Sequence, residues 1–227
     1  MSIGISISRN KGKKLKGRGQ HLQALAHWQR GLAHSRRYHG NDSDTTLGFI
    51  FESANCLSLL WRNEEALPYW LEGLTLNRKL WGDDHDGTVY ALTGLARSLT
   101  KLRRYQEALP YWRLALERAE ARLDEREQTV LYCVEEMALC LDRTNEHEAA
   151  LSCWQRAVAI SERLCGRLHR TTSYCLEAMA RCLTALKRKD EAVACWEVAL
   201  QVSRAVFGNG HATTRSIYRD LARARAC

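Results

Sequence analysis

The amino-acid sequence predicts an all-α fold, an α-solenoid of stacked antiparallel helical hairpins. Three observations predict it. Five tryptophans, Trp28, Trp70, Trp112, Trp154 and Trp196, stand 42 residues apart. Ala24, Ala66, Ala108, Ala150 and Ala192 precede them by four residues, and Gly31, Gly73, Ala115, Ala157 and Ala199 follow them by three. The chain has 227 residues and two prolines, Pro68 and Pro110, as suits long helices. A pattern repeated at fixed period folds as one supersecondary unit, each copy burying its apolar face against its neighbours.

The elements follow in chain order. Residues 1–20 carry Arg9, Lys11, Lys13, Lys14, Lys16 and Arg18 with no acid. They include Gly12 and Gly17, and although residues 4–18 fall in the register of a helix, the composition predicts a basic, disordered leader. The repeat body is residues 21–227. Its B helices centre on the tryptophans, in the segments HLQALAHWQRGL, NEEALPYWLEGL, YQEALPYWRLAL, HEAALSCWQRAV and KDEAVACWEVAL. Small, aromatic and small residues at i, i+4 and i+7 share one helix face. The small residues admit a neighbouring helix, and the indole fills the space between.

An A helix fits between successive B helices. Ala54, Ala96, Ala138, Ala180 and Ala222 form one inward column, and Leu57, Leu99, Leu141 and Leu183 another. Leu92, Leu95, Ala96 and Leu99 show the apolar stripe. One unit therefore reads as helix A over about 88–102, a turn at Arg103–Arg104 and helix B over about 105–122. A last A helix covers about 213–227. Asn145-x-x-Glu148 predicts a capping box at the start of a B helix. Trp61 and Trp81 lie outside the tryptophan column, at a turn or link, and are expected to be partly exposed.

The charge balance bounds the partners. Lys+Arg is 34 and Asp+Glu is 26, a net charge of +8. Residues 1–20 supply most of the excess, so the body is nearly neutral. The beginning, MSIGISISRNKGKKLKG, has no apolar core of signal-peptide length, and no stretch reaches the length of a membrane span. A cytoplasmic protein is expected. The nine cysteines are odd in number and show no C-x-x-C, which predicts reduced, mostly buried thiols.

Sites for chemistry are sparse. Cys56, Cys140 and Cys182 share a column, as do Cys133 with Cys175 and Cys153 with Cys195. No histidine falls in those columns, so no metal site is expected. His85, His169 and His211 recur in links, where they are expected to cap or brace the chain. No phosphate loop, nucleophile elbow or H-E-x-x-H is present, so no cofactor and no enzymatic activity are expected.

The tryptophan-centred spacing resembles that of the tetratricopeptide repeat family, whose usual period is about 34 residues. The 42-residue period and the links Gly82…His85…Thr88, Gly166…His169…Thr172 and Gly208…His211…Thr214 resemble its kinesin light chain-like subtype. The proline two residues before Trp70 and Trp112 fits that subtype as well. The link LDEREQTV departs from it, with Asp124 and Glu127 where glycine and histidine stand elsewhere. The resemblance implies a right-handed array whose A helices line a concave groove. It implies a protein-interaction scaffold or adaptor that binds a partner's peptide segment.

An outward stripe then runs along each A helix at i, i+3, i+7 and i+11. It comprises Tyr90, Thr93, Arg97 and Lys101, then Tyr132, Glu135, Leu139 and Arg143. Tyr174, Glu177 and Arg181 follow, and finally Ser216, Arg219 and Arg223. Tyr90, Tyr132 and Tyr174 make an aromatic row, and Arg97, Arg181 and Arg223 a basic one. Tyrosine offers apolar area with a hydroxyl, and arginine a planar fork for carboxylates. An extended acidic peptide with apolar anchors is the matching ligand. The alternative is a nucleic-acid-binding helical repeat using the basic tail and the groove arginines. The near-neutral body argues against it, and so does a constant tyrosine column where a base-reading repeat varies its polar side chains.

Overall fold

A computed structural model describes residues 3–121 and 123–226, with side-chain detail from Gly4 and, in the second segment, from Glu127. Among the described residues there are eleven helices and no strand. They are α1 (Ile3–Gly17), α2 (His21–His39), α3 (Asp44–Leu59), α4 (Asn63–Trp81), α5 (Asp86–Lys101), α6 (Tyr105–Glu120), α7 (Leu123–Arg143), α8 (His147–Cys165), α9 (Arg170–Ala185), α10 (Lys189–Phe207) and α11 (Ala212–Ala226). The chain divides into two compact units, Met1–Ala121 and Arg122–Cys227. Within each unit every helix packs on its chain neighbour. No helix among the described residues is long and apolar enough to cross a membrane.

The A-to-B turns share one construction. Gly19, Trp61, Arg103, Asn145 and Lys187, again 42 residues apart, have φ of 74°, 60°, 60°, 63° and 59°. Each lets the next N–H reach back to a leucine carbonyl: Gln20 to Leu15, Arg62 to Leu57, Arg104 to Leu99, Glu146 to Leu141 and Arg188 to Leu183, at 2.9–3.1 Å. This is a Schellman closure, which satisfies carbonyls a helix end leaves open. It replaces the capping box expected at Asn145, which sits in the left-handed turn while α8 begins at His147.

The B-to-A links also repeat. Gly40, Gly82, Gly166 and Gly208 have φ of 81–88°. The Gly40, Gly82 and Gly166 carbonyls accept the hydroxyls of Thr46, Thr88 and Thr172 at 2.8–2.9 Å. The link histidines cap the A helices. Nδ1 of His85, His169 and His211 accepts the backbone N–H two residues on, at 3.1–3.2 Å.

The core is the tryptophan column, with all five rings at 0–1% exposure. Ala54, Ala96, Ala138 and Ala180 are fully buried, but Ala222 is exposed. The side of α11 that carries Ala222 has no helix against it among the described residues. Trp61 and Trp81 are 76% and 53% exposed.

The expected disordered leader is instead helix α1, packed on α2. Gly12 stands in the alanine column and Leu15 in the leucine column, each 42 residues before its counterpart. Ile5 is 1% exposed, and a Cβ on Gly12 would come within 2.7 Å of the Trp28 ring. A glycine in mid-helix costs about 1 kcal/mol relative to alanine, but here it lets α1 approach the indole. The charges lie on the other faces or find partners, as Lys16 does with Glu52 at 2.7 Å.

Candidate functional site

In the first unit the predicted stripe lies on α5, whose start is set by the His85 cap. Tyr90 is 42% exposed. Its ring stands edge-on to Trp70 at 5.3 Å and to Phe51 at 5.4 Å. The tyrosine is therefore half core and half surface. Thr93 donates its hydroxyl to the Tyr90 carbonyl at 2.9 Å, and Arg97 is half-buried. Lys101 is exposed, with Nζ 5.7 Å above the Trp61 ring. Burial, with the charge of Glu52, pushes the Tyr90 hydroxyl pKa up.

In the second unit the stripe lies on α7, α9 and α11. Tyr132 is half-buried, and Tyr174, 42% exposed, stands edge-on to Trp154 at 5.8 Å. Glu135 accepts the Cys175 thiol at 3.1 Å. Glu177 pairs with Arg181 at 3.0 Å, and Asp220 with Arg223 at 3.1 Å. Burial raises both Glu135 and Glu177 above the ordinary carboxylate range, with Glu136 adding to the first and Asp220 to the second. Tyr174 is pushed up to about 12 by burial and by Glu135 and Glu136.

The structure gathers some predicted residues and separates others. Glu135, Tyr174 and Glu177 border one cleft of about 340 Å³, with Arg170, Phe207 and Thr213. Arg181 and Arg223 border a second hollow of about 630 Å³ floored by Trp196. Arg219 turns to a third, beside Gln201, Arg204 and Tyr218. The basic row is thus not a row of open forks in this unit, since two of its arginines hold acids of their own helices. Such exposed pairs are worth about 0–1 kcal/mol and exchange readily for a partner's carboxylate. Glu136 and Asp220 lie outside the predicted stripe. Each is an acid one residue from a stripe position, and that adjacency was the available signal.

Packing also assembles a group that the columns do not show. Trp70, Trp112 and Trp196 each donate their indole N–H to a hydroxyl twelve residues earlier, that of Ser58, Thr100 and Thr184. For Trp154 the acceptor is a carboxylate, Oδ2 of Asp142, at 2.9 Å. The other oxygen, Oδ1, lies 3.3 Å from Nδ1 of His147. Cys182 of α9 points its sulfur at the His147 carbonyl, 3.0 Å away. Burial and then the nearby Asp142 charge raise that thiol to about 12. One donor atom from each of Asp142, His147 and Cys182 lies within 4.8 Å of the other two. The expectation of no metal site rested on the lack of a histidine in the cysteine columns. His147 comes from a different column, at the start of α8.

The tetratricopeptide repeat family matches residues 50–121 and 129–198, more than half of the chain. No curated protein matches the chain significantly in sequence. Among solved structures, the chain is similar to nearly identical TPR-like repeats of kinesin light chain type from Podosopora anserina. The TM-score is 0.77 at 16% identity, covering 91% of this chain and 99% of that one. It is similar to BtubC (BKLC) from P. vanneervenii, with TM-score 0.72 at 20% identity, covering 88% and 79%. A Rap protein complexed with competence and sporulation factor aligns with TM-score 0.61 at 14% identity, covering 98% of this chain and 65% of that one.

Proposed function

We propose that this chain, which belongs to the tetratricopeptide repeat family and whose repeats are of the kinesin light chain-like kind, is a non-catalytic scaffold that holds a peptide segment of a partner protein on its A-helix faces. One observation carries the reading. Tyr90 and Tyr174 rest edge-on against buried tryptophans and leave 42% of their surface to solvent. A ring braced by the core has lost its conformational entropy before a ligand arrives, so little further ordering cost opposes binding. Arg97 and Lys101 share the stripe of Tyr90, which suits a peptide that sets carboxylates beside an apolar anchor, whereas Glu135 and Glu177 border the cleft of Tyr174. The similar Rap structure holds a bound factor on the same kind of fold, which supports ligand capture as a use of such repeats. The nucleic-acid alternative uses the basic tail and the groove arginines; against it, the tail is helix α1 packed on α2, and Arg181 and Arg223 pair with acids of their own helices.

Photo-crosslinking tests the reading. Benzoylphenylalanine placed at Tyr90 or Tyr174 should capture the partner, and the same probe at Leu71, exposed on a B helix, should not. Arg97→Glu should weaken capture by ~2 kcal/mol, roughly 30-fold in Kd, through repulsion as well as lost hydrogen bonds. Tyr90→Phe should leave melting unchanged. Crosslinking from Leu71 at equal yield, or full affinity in Arg97→Glu, would move the site to the other face.

A further inference from the structure

We propose that Asp142, His147 and Cys182 form a binding site for a divalent transition-metal ion of the Zn²⁺ class, at the α7–α8 turn where α9 packs against it. The donor set is of the right chemistry. A thiolate, an imidazole and a carboxylate together select a borderline-soft ion over Mg²⁺ or Ca²⁺. Bond lengths of about 2.0–2.3 Å place tetrahedral ligands roughly 3.3–3.7 Å apart. The His147 Nδ1 to Asp142 Oδ1 separation of 3.3 Å already meets that range. All three donors lie within 4.8 Å, so side-chain rotation of about an ångström completes the triangle.

Access and support are also present. Cys182 is 2% exposed, while the side chains of Asp142 and His147 are 25% and 26% exposed. The site therefore has a dry sulfur at its back and an open edge for entry. A fourth position remains for water or the His147 carbonyl. The Trp154 indole holds Oδ2 of Asp142 and leaves Oδ1 aimed at the histidine, the orienting role that outer partners of metal ligands perform. On binding, the Cys182 S–H bond is replaced by a sulfur–metal bond, and the proton leaves to solvent. Two anionic ligands then neutralise the divalent ion, and nothing is oxidised or reduced.

The repeats supply an internal control. One such set in the first unit is Ser58, Asn63 and Ser98, with the two serine hydroxyls 3.5 Å apart. In the last hairpin they are Thr184, Lys189 and Ala224. Neither set offers a thiolate, imidazole or carboxylate. Of the three columns only that of Asp142 departs to a ligand type, since Lys16, Ser58, Thr100 and Thr184 stand in its other places; Lys16, His21 and Cys56 in the first unit therefore lack the carboxylate that meets a histidine and a cysteine at this one turn.

The test uses the full chain, reduced and freed of metal. Titration with Co²⁺ should produce one equivalent of a thiolate-to-cobalt charge-transfer band, and Zn²⁺ should displace it. Zn²⁺ should also raise the thermal midpoint. Cys182→Ser should abolish the band, and Asp142→Thr or His147→Asn should weaken binding at least tenfold. These substitutions install residues that the same register already accepts in other repeats, so the fold should survive, and circular dichroism checks it. Cys175→Ser, which removes a buried thiol outside the group, should leave the band intact. No cobalt–thiolate band in the native chain, or a band that persists in folded Cys182→Ser, overturns the assignment.

Discussion

Trp70 in the first unit and Trp154 in the second hold the same register position, and each carries a tyrosine edge-on against its ring, Tyr90 at 5.3 Å and Tyr174 at 5.8 Å. Their surroundings diverge. Around Tyr90 the stripe continues as Thr93, Arg97 and Lys101. Around Tyr174 it holds Glu135 and Glu177, both half-buried, and Arg181 is already paired. Beneath the rings, Trp70 donates to the Ser58 hydroxyl, whereas Trp154 donates to the Asp142 carboxylate. A repeat thus keeps its packing column while its polar columns drift. The tyrosine row is common to both units, but each unit offers it in a different electrostatic setting.

The largest expected effect lies in what the units share. Trp70→Ala and Trp154→Ala should each cost about 3–5 kcal/mol in urea unfolding, because a fully buried ring leaves a cavity between helices. Trp154→Ala should fall at the upper end, since it also strips Asp142 of a donor. Trp61→Ala, which removes a 76% exposed ring, should cost under about 1 kcal/mol. Equal losses at Trp61 and Trp70 would contradict the core described here.

An intermediate effect concerns how the first unit is closed over Trp28. Gly12→Val should destabilise by about 1–3 kcal/mol, because its Cβ meets the indole at 2.7 Å and the pair must shift. Gly17→Ala meets nothing within 4 Å and should change stability by under about 0.5 kcal/mol. A disordered leader would make the two variants alike.

The smallest effect separates the units by pH. Burial raises the folded-state pKa of Glu135 and Glu177 above the ordinary 4.5. Folding therefore favours their protonated forms. Their contribution to stability is full below about pH 4.5 and is lost as pH rises through the raised values. Thr93 stands where Glu135 stands one repeat later, so α5 adds no such dependence there. Glu135→Gln with Glu177→Gln should flatten the decline of the thermal midpoint between pH 4.5 and neutrality. An unchanged slope would show that these carboxylates titrate as if exposed.

Much of this molecule was determined by its sequence. The tryptophan, alanine and leucine columns, the helical hairpins, the histidine caps and the position of the tyrosine row all follow from a 42-residue period. They do so because each hairpin packs mainly on its chain neighbours, so local pattern and tertiary contact coincide. Helix α1 was encoded in the same columns, through Gly12 and Leu15, but its lysine-rich composition masked a register that the contact with Trp28 makes visible. Other features were decided by tertiary structure. Arg181 is tied to Glu177 and Tyr174 is braced on Trp154 because side chains at different offsets turn toward one another across a helix surface. Asp142, His147 and Cys182 belong to three columns on three helices, and periodicity compares residues within a column. Only folding, which brings the end of one helix, the start of the next and the last turn of a third to a single place, puts their donor atoms within reach of one ion.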